Sequence, residues 1–161
     1  MASQPVAESV ADILELMRED HGRFEKLFSA YAEADDAEAK RVAVCRIHCA
    51  LAAHTQAAEE LLFDAIVDAG ADDAAVEEAR AEHEGMRKTL QSILAVKADD
   101  PTYDMKVRML QKEIMHHARE EEGELFAQAR EASLDLAGLG ERYTRRRDEL
   151  TPQFERETGL A

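Results

Sequence analysis

Tryptophan is absent from this 161-residue chain, and only three prolines and seven glycines interrupt it. So few breakers leave little material for the tight turns of a β-rich fold. Alanine, glutamate, leucine and arginine abound instead, which points to an almost wholly helical protein. No apolar run approaches the ~20 residues of a transmembrane helix, so no membrane association is expected. The opening stretch MASQPVAESVADI lacks a basic region followed by an apolar one; no secretory signal is expected, and a cytoplasmic location is. Positive charge is scarce, with 20 Lys and Arg against 35 Asp and Glu, a net charge of −15. Such a surface repels nucleic-acid phosphates, so no nucleic-acid partner is expected. The acidic surplus reads first as a solvated face and second as an attraction for cations. The two cysteines, Cys45 and Cys49, stand one helical turn apart with side chains poorly aimed for bridging, and are expected as reduced thiols. A chain of this length makes one domain that can bury a core without disulfide or metal staples.

Apolar periodicity predicts four long helices. The first covers 7–33, started by Ser9 or its neighbours, with Val10, Ile13, Leu14, Met17, His21, Phe24, Phe28 and Tyr31 on one stripe. The second runs from an Asp35 or Asp36 cap to about Asp68 on Val44, Ile47, Leu51, His54, Ala58, Leu61 or Leu62, and Ala65; Gly70 ends it. His48 falls off that stripe and reads as a boundary or surface residue. A third covers about Asp73 to Lys97 on Ala79, His83, Met86, Leu90, Ile93 and Leu94. The fourth, from Pro101 to about Glu131, carries Val107, Leu110, Ile114, His117, Glu121 and Leu125. Short loops make neighbours antiparallel. The expected fold is therefore all-α: an up-down-up-down four-helix bundle over 7–132, with a short C-terminal helix, Leu139 to Leu150, within an extension over 133–161. That segment is basic on one side, Leu134, Leu136, Leu139, Tyr143 and Leu150 are expected to pack it over an end of the bundle, and the residues from Pro152 are expected to fray.

Each long helix places one histidine near its middle on the buried stripe: His21, His54, His83 and His117. In an antiparallel bundle these positions share one layer, so the imidazoles can converge. Burying them, with Glu121 one turn beyond His117, costs several kcal/mol unless something pairs with them. A metal ion is the usual partner, and imidazole with carboxylate suits iron, manganese or zinc. A layer of neutral histidines bonded to one another, with His117 bonded to Glu121, is the alternative.

Asp20-His21, Glu82-His83, His117-x-x-x-Glu121 and the run KEIMHHAREEEGELF together resemble the hemerythrin-like (HHE cation-binding) domain over roughly residues 10–130. The resemblance implies a non-haem di-iron centre bridged by carboxylates and a solvent-derived oxo or hydroxo group. It also implies binding, sensing or reduction of a small ligand such as oxygen, peroxide or nitric oxide, or a role in iron handling. His21, His54, His83 and His117 would be ligands and Glu121 a bridge.

Two departures bear on this. Four residues after His54 stands Ala58, where the family pattern has a bridging glutamate. Glu59, or Glu25 one turn beyond His21, could supply the missing carboxylate; otherwise the pair is held loosely or one metal position is lost. Four residues after His83 stands Arg87 rather than the second histidine of oxygen carriers, which favours a redox or iron-related role over oxygen storage. The sequence sets no oligomeric state.

Overall fold

The computed structural model describes residues 11–160, and no strand occurs among them. Helix α1 (Ile13–Ala32) starts at a capping box. Asp12 accepts from the Glu15 backbone N–H at 2.9 Å, and Glu15 accepts from the Asp12 N–H at 3.3 Å. The expected start near residue 7, the Ser9 cap and Val10 lie outside the described residues.

Asp36 caps α2 (Ala37–Ala58), accepting from Ala39 N–H at 2.7 Å. A π-helical turn, Glu59–Phe63, carries α2 on into α3 (Asp64–Asp68), which ends before Gly70 in the left-handed region (φ 78°). Helix α4 (Ala74–Leu94) stops three residues short of the expected end. Pro101 lies in the turn before α5 (Tyr103–Glu120) rather than in its first turn. A second π turn, Glu121–Leu125, joins α5 to α6 (Phe126–Glu131).

Both π turns shift the core register, because the wider turn holds an extra residue. Past Ala58 the buried side chains are Leu62, Phe63 and Ile66, where a stripe in steps of three and four selects Leu61 or Leu62 and then Ala65.

The C-terminal helix is longer than predicted. Helix α7 (Leu136–Thr158) runs through Pro152 to a left-handed Gly159, so the residues expected to fray are helical through Thr158. Leu139, Tyr143 and Leu150 are buried where it packs on α1 and α2. At the α1 end the approach is too close for a side chain. A Cβ on Gly140 would lie 2.5 Å from the Ala11 carbonyl oxygen and 3.0 Å from Ile13 N.

The apolar core comes in two clusters. One gathers Ile13, Met17, Ala58, Phe63, Val76 and Phe126 with the α7 residues; the other gathers Phe24, Phe28, Ile47, Met86, Leu110 and Ile114. Between them in sequence, on α1, α2, α4 and α5, stand the buried groups His21, His54, His83 and His117. Both ends of the bundle are thus oily, and the polar layer is held in the middle. Among the described residues no helix is long and apolar enough to cross a membrane.

Candidate metal centre

Glu121, fully buried at the first position of the second π turn, is the hub of this layer. Its Oε1 lies 3.0 Å from His21 Nε2 and 3.5 Å from His54 Nε2. Its Oε2 lies 2.9 Å from His117 Nε2 and 4.0 Å from His83 Nε2. The last two Nε2 atoms are 2.9 Å apart. Two compact donor groups result, His21–His54–Glu121 and His83–His117–Glu121, sharing one carboxylate.

The outer ring nitrogens explain why every Nε2 points inward. Each Nδ1 faces a carboxylate from a different helical segment, and the four supports close a cycle around the bundle. Asp20 of α1 meets His54 at 3.0 Å, and Glu59 of the first π turn meets His83 at 2.7 Å. Glu82 of α4 meets His117 at 3.2 Å, and Glu122 of the second π turn meets His21 at 3.2 Å. A carboxylate on Nδ1–H fixes the tautomer that leaves the Nε2 lone pair free for a cation. Every support is backed from outside by a basic group: Arg147 on Asp20 (2.7 Å), Arg87 on Glu59 (2.8 Å), His116 by Glu82 (3.3 Å) and Arg18 by Glu122 (3.3 Å).

The electrostatics of this layer call for positive charge. Burial would raise the Glu121 pKa, but hydrogen bonds from His117 and His21 hold it well below the ordinary carboxylate value. Burial would lower those of His54 and His117. The hydrogen bond to Asp20 and the charge of Glu121 nevertheless push His54 up to about 9, and Glu121 with Glu82 does the same for His117. His83 goes the other way, its pKa lowered by burial and by the charge on His117. Protons therefore occupy part of this layer when no metal is bound.

The donor set fits a cation on one further observation. His54 Nε2 is buried and has no hydrogen-bond partner. An orphaned buried nitrogen of this kind is costly unless it binds something.

Of the residues singled out from sequence, His21, His54, His83, His117 and Glu121 are brought together. Glu59 and Glu25 are not brought among their inner donors. Glu59 stands on the outer nitrogen of His83, because the π turn directs its carboxylate toward Arg87 and Arg80. Glu25 is exposed on the outer face of α1. Ala58 is fully buried among apolar neighbours and provides no carboxylate.

Asp20, Glu82, Glu122, Tyr143 and Arg147 are functional neighbours that reading the stripe misses. The acidic residue just before a stripe histidine was the available signal for Asp20 and Glu82, and the acidic run after His117 holds Glu122 without singling it out. Nothing in the sequence marks the other two. The Tyr143 hydroxyl, fully buried, hydrogen-bonds Asp20 and lies 2.8 Å from His54 Nδ1. Both thiols, Cys45 and Cys49, are free and buried, away from this layer.

A family model described as the Hemerythrin HHE cation binding domain matches residues 12–129. A Nostoc sp. (strain PCC 7120) protein described as a DNA nickase is 30% identical over 120 residues, which take in 74% of this chain. The chain spans about a third of that relative, 34% of its length. A crystal structure of a Hemerythrin HHE cation binding domain-containing protein from Mycobacterium kansasii aligns with a TM-score of 0.79 at 21% identity, over 89% of each chain. At that identity the likeness speaks for the fold.

Proposed function

The chain belongs to the hemerythrin HHE cation-binding family, and from that premise we propose a non-haem iron protein that binds or reduces a small oxidant: oxygen, peroxide or nitric oxide. One observation carries the reading. Four Nε2 atoms are held inward around a shared carboxylate, and one of them, on His54, has no partner. His21 and His54 with Glu121 Oε1 would hold one ion, and His83 and His117 with Oε2 a second. The N/O donors suit iron, manganese or zinc alike; iron is the choice that the resemblance to a di-iron family implies. A redox-active metal bound there would supply electrons and an open coordination position.

The chain's own contribution is to orient and to exclude. The Nδ1 carboxylates keep the imidazoles aimed, and Phe63 stacks on His83 with ring centroids 5.2 Å apart. Leu62 and Phe63, fully buried, shield the flank where Ala58 replaces a carboxylate. That alanine also favours a second reading. With Glu121 as the one shared carboxylate, the pair would be held loosely enough to exchange, which suits cation storage or sensing without turnover. The nickase activity of the Nostoc relative is not carried over, since the match spans a third of that protein and a net charge of −15 disfavours DNA.

The test is metal content and turnover together. Protein from iron-supplied cells should hold two irons per chain, lose them in His54→Ala and His117→Ala, and change its visible absorption on adding peroxide. Protein without metal would sink both readings; metal that is retained without any reaction with oxidant would leave storage or sensing.

A further inference from the structure

Of the four histidines in the buried layer, one comes nearest the surface. His21 is 9% exposed, against 3% or less for His54, His83 and His117. It lines a cleft of about 350 Å³ between α1 and α5, and with Ile114 it is the buried part of that lining, the floor. Each wall follows helical periodicity. Arg18, Gly22 and Glu25 form the α1 side in steps of four and three, and Met115, Ala118 and Glu122 the α5 side in steps of three and four, with Arg119 beside them. The middle position of each wall therefore carries almost no side chain. Nothing in the backbone demands the glycine. Gly22 is helical, where glycine is less stable than alanine, and a Cβ there would meet nothing within 4 Å. What the missing side chain leaves is a gap over His21.

The rim of this gap parts easily. Glu122 reaches His21 Nδ1 at 3.2 Å and Arg18 at 3.3 Å, but the Glu122 and Arg18 side chains are 35% and 43% exposed, so water screens the pair. Arg18 and Arg119 are matched by Glu25 and Glu122, and the passage carries no net charge to select an ion. Two other openings touch the layer, and both are shut. The cleft of about 400 Å³ between α2, α4 and α7 reaches His83, but that ring is fully buried and stacked on Phe63, with Glu59 across its Nδ1 and Arg87 across Glu59. Beside Glu121, between α4 and the second π turn, there is about 10 Å³, scarcely room for one water.

We propose that small uncharged ligands (oxygen, hydrogen peroxide or nitric oxide) reach the layer through the α1–α5 cleft, passing between Gly22 and Ala118 and over His21. The inference rests on the oxidant-binding role proposed above and adds to it the path and the two residues that set its width.

Two measurements separate the path from the role. Dissolved oxygen under pressure speeds the NMR relaxation of protons it reaches and needs no iron. In the full chain without iron, the His21 ring protons should respond most among the four layer histidines, and Gly22→Leu should largely remove that response. In iron-loaded protein, stopped-flow mixing with nitric oxide should show association and dissociation both about tenfold slower in Gly22→Leu and in Ala118→Leu. The Kd and the iron content should not change, because a narrowed path slows entry and exit alike. Either wall variant suffices if the other does not fold. Ala52→Leu, which narrows the cleft at His83, should alter neither rate. A response at His83 equal to that at His21, wall variants with unaltered relaxation or rates, a changed Kd, or slowing by Ala52→Leu would each overturn the path. Protein that holds no iron would instead sink the oxidant-binding role, and the oxygen measurement would still decide the path.

Discussion

Two corners of the histidine layer, His54 and His83, are built from the same parts and placed in opposite surroundings. Each imidazole gives its outer nitrogen to a carboxylate, and each carboxylate is backed by an arginine. At His54 that carboxylate is Asp20, with 3% of its side chain exposed, and α7 closes over it with Tyr143 and Arg147. At His83 it is Glu59, 22% exposed, beside a cleft and an arginine that is itself 42% exposed. The pairwise chemistry is the same, but solvent screens one corner and not the other. A charge pair shielded from water is strong when complete and costly when broken, whereas a wet one matters little either way. The His54 corner should therefore behave as a rigid anchor and the His83 corner as an adjustable one.

The largest test removes what both corners share. Glu121→Gln should empty both halves of the layer, taking metal content per chain to near zero by elemental analysis, because each donor group relies on one oxygen of this carboxylate. Retention of one ion would mean that a corner binds metal alone, and by the argument above it should be the His54 corner.

Next come the supports. Asp20→Asn should cost about 3–5 kcal/mol in chemical unfolding, since it leaves the partners of a buried charge uncompensated. Glu59→Gln should cost under about 1 kcal/mol and weaken metal binding by about tenfold through loss of ring orientation. Acid separates the two as well. Burial would raise the Asp20 pKa, but His54, Tyr143 and Arg147 hold it at about 2, below its ordinary 3.8. Its contribution is therefore complete above pH 3.8 and lost as pH falls through about 2. The steep fall in stability across that window should flatten in Asp20→Asn. Equal losses in the two variants would break the comparison.

How far this contrast was legible in the sequence depends on the period. The four histidines and Glu121 recur in steps of three and four, so a straight helical reading places them together, and the bundle with them. Glu59 breaks that reading, because a π turn has no compositional mark and re-aims every side chain after Ala58. The chemistry of α7 was hidden for another reason. A helix with four arginines on one side reads as solvated, and only tertiary packing shows that Arg147 reaches Asp20, 127 residues earlier in the chain. Pro152 similarly suggested an end where the helix continues to Thr158.

A smaller perturbation loosens the closed corner from a distance. Gly140→Ala would set a methyl group against the Ala11 carbonyl and force α7 away from the start of α1. Overpacking of this kind costs about 1–3 kcal/mol. Amide exchange should rise around Tyr143 and Asp20 and stay unchanged around Glu59 and Arg87. A uniform rise would mean that α7 supports the whole layer.

The finest test takes one oxygen from the closed corner. In Tyr143→Phe the ring still fills its space on α7, while Asp20 keeps His54 at 3.0 Å and Arg147 at 2.7 Å. The carboxylate therefore stays paired, and the loss is that of one hydrogen bond, about 0.5–1.5 kcal/mol. Metal affinity should fall less than in Glu59→Gln, since His54 keeps the support that fixes its tautomer and His83 would not. A larger loss of metal in Tyr143→Phe would show that the hydroxyl, 2.8 Å from His54 Nδ1, orients that ring directly rather than through Asp20.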